Sequence, residues 1–163
     1  MRLTTFSDYA FRVLIYLGSA PQSLATIADI AKAYGVSENH LMKVVHQLAR
    51  LGYVETVRGK GGGLRLARPP ENINLADVVR EAEDDDAFVE CFDAGAADCR
   101  IAPACVLKGA LRSALDAFFA ALRGYTLADL LAPRARLAGL MPAVAVPVPS
   151  ADRARRRRRA VRS

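Results

Sequence analysis

Between Ile27 and Arg68 the hydrophobic period changes from helical to alternating, and this stretch restricts the fold more than any other. Ile27 to Tyr34 places Ile27, Ile30 and Ala31 on one side of a short amphipathic helix. Gly35 breaks it, and Ser37 stands where it caps a further helix running from Glu38 to about Leu51. Leu41, Val44, Val45 and Leu48 are the apolar stripe of that helix. At about 100° per residue, Asn39, Lys43, His46 and Arg50 fall on the opposite side. Tyr53 to Val57 and Leu64 to Arg68 then read as two strands around Arg58-Gly59-Lys60-Gly61-Gly62-Gly63, a β-hairpin that Pro69-Pro70 ends.

Two helices joined by a Gly-containing turn, the second with a wet basic face, are what insertion into a DNA major groove requires. The hairpin adds a wing, so residues 1–82 are predicted to form a winged helix-turn-helix domain that binds double-stranded DNA. Asn39, His40, Lys43 and His46 are expected near base edges, with Arg58 as a minor-groove probe. Ser37, Lys60 and Arg12 are expected on phosphates. A nucleotide-phosphate loop is the rival for the glycine run, but no helix follows the glycines and the Walker spacing is absent.

Charge distribution agrees with a nucleic-acid face in one place only. Residues 26–70 carry seven Lys or Arg against three acids, whereas residues 71–100 carry ten acids against two Arg. The first block suits phosphates and the second should point away from them. The formal net charge of +6 belongs to neither, because Ser150 to Ser163 holds seven Arg and one Asp.

A first amphipathic helix starts near Thr5, with Phe11, Val13, Leu14, Ile15 and Leu17 toward the core. Asp8 and Arg12 interrupt its apolar run, which excludes a signal peptide. The run Leu137 to Pro149 contains three prolines and is too short to span a bilayer. The chain therefore reads as cytoplasmic, without a membrane partner. A short helix is predicted over Leu75 to Ala82.

All three cysteines, Cys91, Cys99 and Cys105, lie in the segment 83–105, which has no regular period and reads as a loop. An odd number argues against a disulfide framework. The spacing is C-x7-C-x5-C with no C-x-x-C pair, and the only histidines, His40 and His46, are committed to the basic helix. Structural zinc is therefore disfavoured. Three thiolates suit an iron–sulfur cluster with one differently ligated iron, while a thiol redox switch, zinc and cysteines of no consequence stay open. Cys105 falls near a helix N-terminus, which favours thiolate.

Pro103 suits the first turn of a new helix that runs to about Arg123. Leu107, Leu111, Leu115, Phe118 and Leu122 recur there at steps of four and three, with Ala110, Ala114 and Phe119 widening the stripe. Such a helix needs a partner of similar length, and a second copy of the chain is the preferred one over its own domain. Thr126 caps a last short helix, Leu127 to Leu131. Residues 106–132 thus form a dimerisation segment. Residues 133–163 are Pro- and Arg-rich and predicted to be disordered.

Several motifs in order then carry a resemblance. Leu3-Thr4-Thr5-Phe6-Ser7-Asp8-Tyr9, Gly35-Val36-Ser37-Glu38-Asn39-His40 and Val57-Arg58-Gly59-Lys60 are three of them. Cys99-Arg100-Ile101-Ala102-Pro103-Ala104-Cys105 and Gly124-Tyr125-Thr126-Leu127-Ala128-Asp129-Leu130 are two more. Over residues 1 to about 132 the chain resembles the NsrR family of nitric-oxide-sensing repressors. The resemblance implies a homodimeric regulator, not an enzyme, with an iron–sulfur cluster, the 4Fe–4S form favoured over 2Fe–2S. It also implies that the regulator releases promoters when nitric oxide attacks the cluster, and that Asp8 of the opposite subunit is the fourth ligand. The competing role for Asp8 is to cap the first helix and favour its dipole. The related IscR type has tighter C-x5-C-x5-C spacing and a histidine where this chain has Lys108, so it is the alternative, beside a cluster-free thiol-based regulator. An iron–sulfur electron carrier would need neither helix-turn-helix nor wing.

Overall fold

The computed structural model describes residues 3–83, 89, 92, 99–133 and 137. Cys91, the Asp84-Asp85-Asp86 run and the Arg-rich tail lie outside the described residues. Helix α1 spans Thr5–Ser19 and is capped by Thr4, whose hydroxyl accepts from the Ser7 N–H at 3.3 Å. Ala10, Val13, Leu14, Tyr16 and Leu17 recur on one face of α1 and are buried. A distant carboxylate completes the cap. Glu83 Oε1 accepts from the Thr4 N–H at 2.8 Å, from the Thr4 hydroxyl at 3.0 Å, and from the buried Ser7 hydroxyl. This is the job a glutamate three residues into the helix does in a local capping box, taken over by a residue 79 positions away in sequence. It joins the start of α1 to the first residue of the cysteine-bearing segment.

Helix α2, Ile27–Tyr34, opens with a reciprocal box between Thr26 and Asp29 and closes on Gly35 at φ 63°, the left-handed region that favours glycine. The bonds from Thr26 hold the Asp29 carboxyl below the ordinary carboxylate range. Helix α3, Glu38–Arg50, buries Leu41, Val44, Val45 and Leu48. Strands β1, Val54–Val57, and β2, Gly63–Leu66, pair antiparallel with Val54 opposite Leu66 and Val57 opposite Gly63. Ala25, just before α2, bridges to Leu64 through bonds of 3.1 and 2.7 Å, tying the hairpin to the helical layer. A 3₁₀ turn over Pro70–Asn72 leads to α4, Leu75–Ala82, then α5, Val106–Arg123, and α6, Leu127–Leu131.

The core forms where α1 crosses α3, β2, α4 and α6. Gly18 allows the crossing with α6, since a Cβ there would come within 2.5 Å of Leu131. α6 is short but well anchored: Leu127 and Leu131 are buried, and Leu127 N–H donates to Ile73 O at 2.8 Å. Leu127→Ala is expected to cost about 2–5 kcal/mol, because the site is closed on all sides and cannot collapse cheaply. Urea denaturation followed by circular dichroism measures it, and a loss well under ~1 kcal/mol would show that α6 is peripheral.

Two local expectations are corrected. Pro103 does not open the long helix; it sits in a 3₁₀ turn, Ala102–Ala104, and Cys105 is extended at ψ 102°, so α5 begins at Val106. Ser37 occupies the residue before α3 but makes no capping hydrogen bond with its side chain. Helix α5 contains no fully buried residue, and Val106 and Leu107 are 85% and 63% exposed. Its far end is tied to the body, where Asn74 Nδ2 donates to Arg123 O at 2.9 Å and Arg80 lies over the Phe119 ring at 4.8 Å. Much of its apolar surface is therefore still open to solvent. Among the described residues no helix is long and apolar enough to cross a membrane.

Candidate nucleic-acid interface and thiolate segment

Packing fixes which side of α3 is available. With Leu41, Val44, Val45 and Leu48 turned inward, Asn39, His40, Lys43, His46 and Arg50 are all exposed, as is Ser37 at its start. Lys43 and Arg50 make no ion pair with another described residue. One flank of the face touches α1, where the Tyr9 and His40 rings stand 6.4 Å apart. Met42, at 54% exposure, is an apolar member of this face that periodicity alone did not single out.

The hairpin tip carries Arg58 and Lys60, both exposed. Its shape requires glycine: Gly59 and Gly61 have φ of 107° and 82°, and a Cβ on Gly62 would meet Val57 O at 2.2 Å. At the other end of the hairpin, Arg68 locks the wing to α3. Its Nε donates to Gly52 O at 2.9 Å, its Nη2 to Leu51 O at 2.7 Å, and its guanidinium lies 4.3 Å from the Tyr53 ring centroid. A cation on the carbonyls at a helix C-terminus is favourable, and this one ties the end of the second strand to the C-cap of α3. The only sequence sign of it is an arginine beside Pro69.

Gly62→Ala is expected to deform the tip while the helical core stays intact, since the clash is with hairpin backbone. DNA affinity should fall by about 1–3 kcal/mol as Arg58 and Lys60 lose their places. Gel-shift titration beside a thermal melt reads both, and unchanged affinity would remove the wing from the interface.

The thiolate segment is described from Cys99 onward. Cys99 is exposed and Cys105 half-buried, both as free thiols. Ala102 N–H donates to Cys99 O at 2.9 Å and Cys105 N–H to Ala102 O at 3.4 Å, so the six-residue step folds back as a turn. Cys105 stands at the N-terminal end of α5 and its side chain makes no capping bond, which leaves the sulfur available where negative charge is favoured. Soft, accessible donors of this kind fit an iron–sulfur cluster. Among the described residues no group of three or more His, Cys, Asp or Glu forms a metal site. A cluster held here would need Cys91 and a further ligand beside Cys99 and Cys105.

Asp8 is exposed in the first turn of α1. The capping hydrogen bonds are made by Thr4 and Glu83, while Asp8 keeps a first-turn position where a carboxylate favours the helix dipole. Asp8 also pairs with Arg12 at 2.8 Å, and Arg12 lies 5.7 Å from the Tyr9 ring and 5.6 Å from the Tyr34 ring. Burial pushes the Tyr34 hydroxyl up to about 12, so that ring stays neutral beside the guanidinium. Arg12 is thus held against α1 and α2. α1 carries Asp8 at its start and touches α3 through Tyr9, so one rigid element spans both candidate sites.

Residues 3–133 match the family described as Rrf2, iron-dependent transcriptional regulator. The chain is 53% identical over 132 residues to the HTH-type transcriptional regulator NsrR of Bacillus subtilis, covering 80% of this chain and 90% of that one. Among solved structures, T. potens IscR superposes with a TM-score of 0.66 at 25% identity, over 82% of this chain and 88% of that one. CymR, the global cysteine regulator of B. subtilis, superposes with a TM-score of 0.62 at 26% identity, over 81% of this chain and 97% of that one.

Proposed function

The chain belongs to the Rrf2 family of transcriptional regulators, and from that premise we propose that it is a homodimeric repressor that releases its operators on exposure to nitric oxide. It is a winged-helix DNA-binding regulator and not an enzyme. Cys91, Cys99 and Cys105 would hold an iron–sulfur cluster, with Asp8 from the partner subunit as fourth ligand. The 4Fe–4S form is preferred because three thiolates leave one corner for a different donor. When bound, the cluster supplies iron that nitric oxide attacks.

The chain's own residues do the rest. Among the four donors the carboxylate is the hard, weakly held one, and Arg12 stands ready to take Asp8 back as an ion pair. The open side of α5 is the surface offered to a second copy, which sets the spacing of the two α3 helices on DNA. The observation that carries the reading is positional. All three cysteines of a chain similar to NsrR lie between the wing domain and the exposed apolar helix.

Full-length protein purified without oxygen is expected to be brown, to contain iron and sulfide, and to retard a promoter fragment until nitric oxide is added. Colourless protein that still binds specifically would favour a cluster-free thiol regulator instead, a reading that exposed Cys99 and the likeness to CymR keep in view. Asp8→Ala should still assemble a cluster on the thiolates while changing its rate of reaction with nitric oxide. Loss of the exposed Arg12 pair costs only about 0.3–0.5 kcal/mol. Identical spectra and kinetics in stopped flow would retire the ligand role.

A further inference from the structure

The DNA-facing side of α3 carries one large apolar side chain that the described residues leave more than half exposed. Met42 is 54% exposed, although its helix packs on α1, α2 and β1 through the opposite stripe. The other exposed large apolar residues among those described are Leu3, Ile101, Val106, Leu107 and Tyr125, at the start of the chain, in the cysteine segment, at the start of α5 and in the link between α5 and α6. Met42 is therefore alone of its kind on α3 and the wing among the described residues. Its neighbours one turn away, Asn39 and His46, and the adjacent Lys43 are polar or cationic and also exposed. An apolar group in that setting stays hydrated unless the ligand offers it something apolar.

A B-DNA major groove offers one such feature, the C5-methyl of thymine, among edges otherwise made of hydrogen-bond donors and acceptors. A thioether on an unbranched stem is polarizable and flexible enough to settle against a methyl group. We propose that Met42 is a specificity-determining residue that reads a thymine methyl in each operator half-site. Asn39, Lys43 and His46 supply polar readout beside it, and Arg50, further along the same face, holds a phosphate that keeps the helix in register. This rests on α3 being the major-groove helix.

The test uses anaerobically prepared full-length protein and an operator duplex selected with it from a randomised library. Each thymine is replaced singly by deoxyuridine, which deletes the methyl and leaves every hydrogen-bonding group in place. At one thymine per half-site the wild-type chain should bind about three- to tenfold more weakly. Met42→Ala should bind the thymine and uracil duplexes alike at that position, and Met42→Leu should still tell them apart. The proposal is overturned if no thymine shows a methyl effect, or if the effect persists undiminished in Met42→Ala. Asn39→Ala separates the two levels of failure. If it changes base preference while the Met42 arm fails, α3 is in the groove and Met42 is not a reader. If neither variant changes preference at any position, the placement of α3 is wrong and the proposal falls with it.

Discussion

Replacing Cys99 or Cys105 with Ala is expected to give a colourless protein that folds normally and has lost its preference for operator over random duplex. Only three thiols exist in the chain, and both histidines are on the outer face of α3, so no spare thiolate can move in. The fold should survive because neither cysteine belongs to the core, and α5 is fastened at its far end through Asn74, Leu75 and Thr126. Cys91→Ala should behave the same way if the three act together. A coupling of ~1–3 kcal/mol between metal site and DNA site corresponds to a roughly 5- to 150-fold loss of specific affinity. Iron analysis, visible spectra, thermal melts and gel-shift titrations on one preparation separate these effects. Wild-type affinity from a cluster-free Cys99→Ala protein would disconnect the cysteines from DNA binding altogether.

Much of the fold was legible because its boundaries are written in local chemistry. Gly35 ends α2 where a left-handed residue is needed, Pro69-Pro70 close the hairpin, and Thr126 opens α6 with Asp129 accepting from its N–H and hydroxyl at 2.7 and 2.8 Å. The inward stripe of α3 follows from its period, and the outward placement of Asn39, Lys43 and His46 follows from the stripe.

What stayed hidden is long-range. Glu83 acting as the cap partner of Thr4, and Arg68 holding the end of α3, are bonds between residues far apart in sequence that leave no period to read. Ser37 shows the converse: the right residue type at the right position makes no capping bond. Of the thiolate site, the sequence conveys the donors and their spacing. The proposed donor set, drawn from Cys91, the turn after Cys99 and a helix of another subunit, would be a property of tertiary and quaternary arrangement, which spacing does not encode.

Removing the chain beyond Pro149 should flatten the salt dependence of DNA binding by several units while leaving operator preference and cluster chemistry alone. The removed piece lies past residues 3–133, the part shared with the family, and outside the described residues. It carries seven arginines between Arg153 and Arg162, whereas residues 1–149 have as many acidic as basic side chains. The chain's entire excess of positive charge is therefore in the removed piece. Each phosphate that an arginine neutralises releases condensed counterions and adds about 0.9 to the magnitude of the slope of log K against log salt. A dimer presents two such runs, so engagement of even half of the arginines changes affinity by orders of magnitude between low and physiological salt. Base readout by α3 is unaffected, because phosphate contacts carry no sequence information. Titrations of full-length and truncated protein on operator and random duplexes, across a salt series, measure both quantities. Equal slopes for the two proteins would mean that the arginine run never touches DNA, and the wing and α3 alone would then account for the electrostatics of binding.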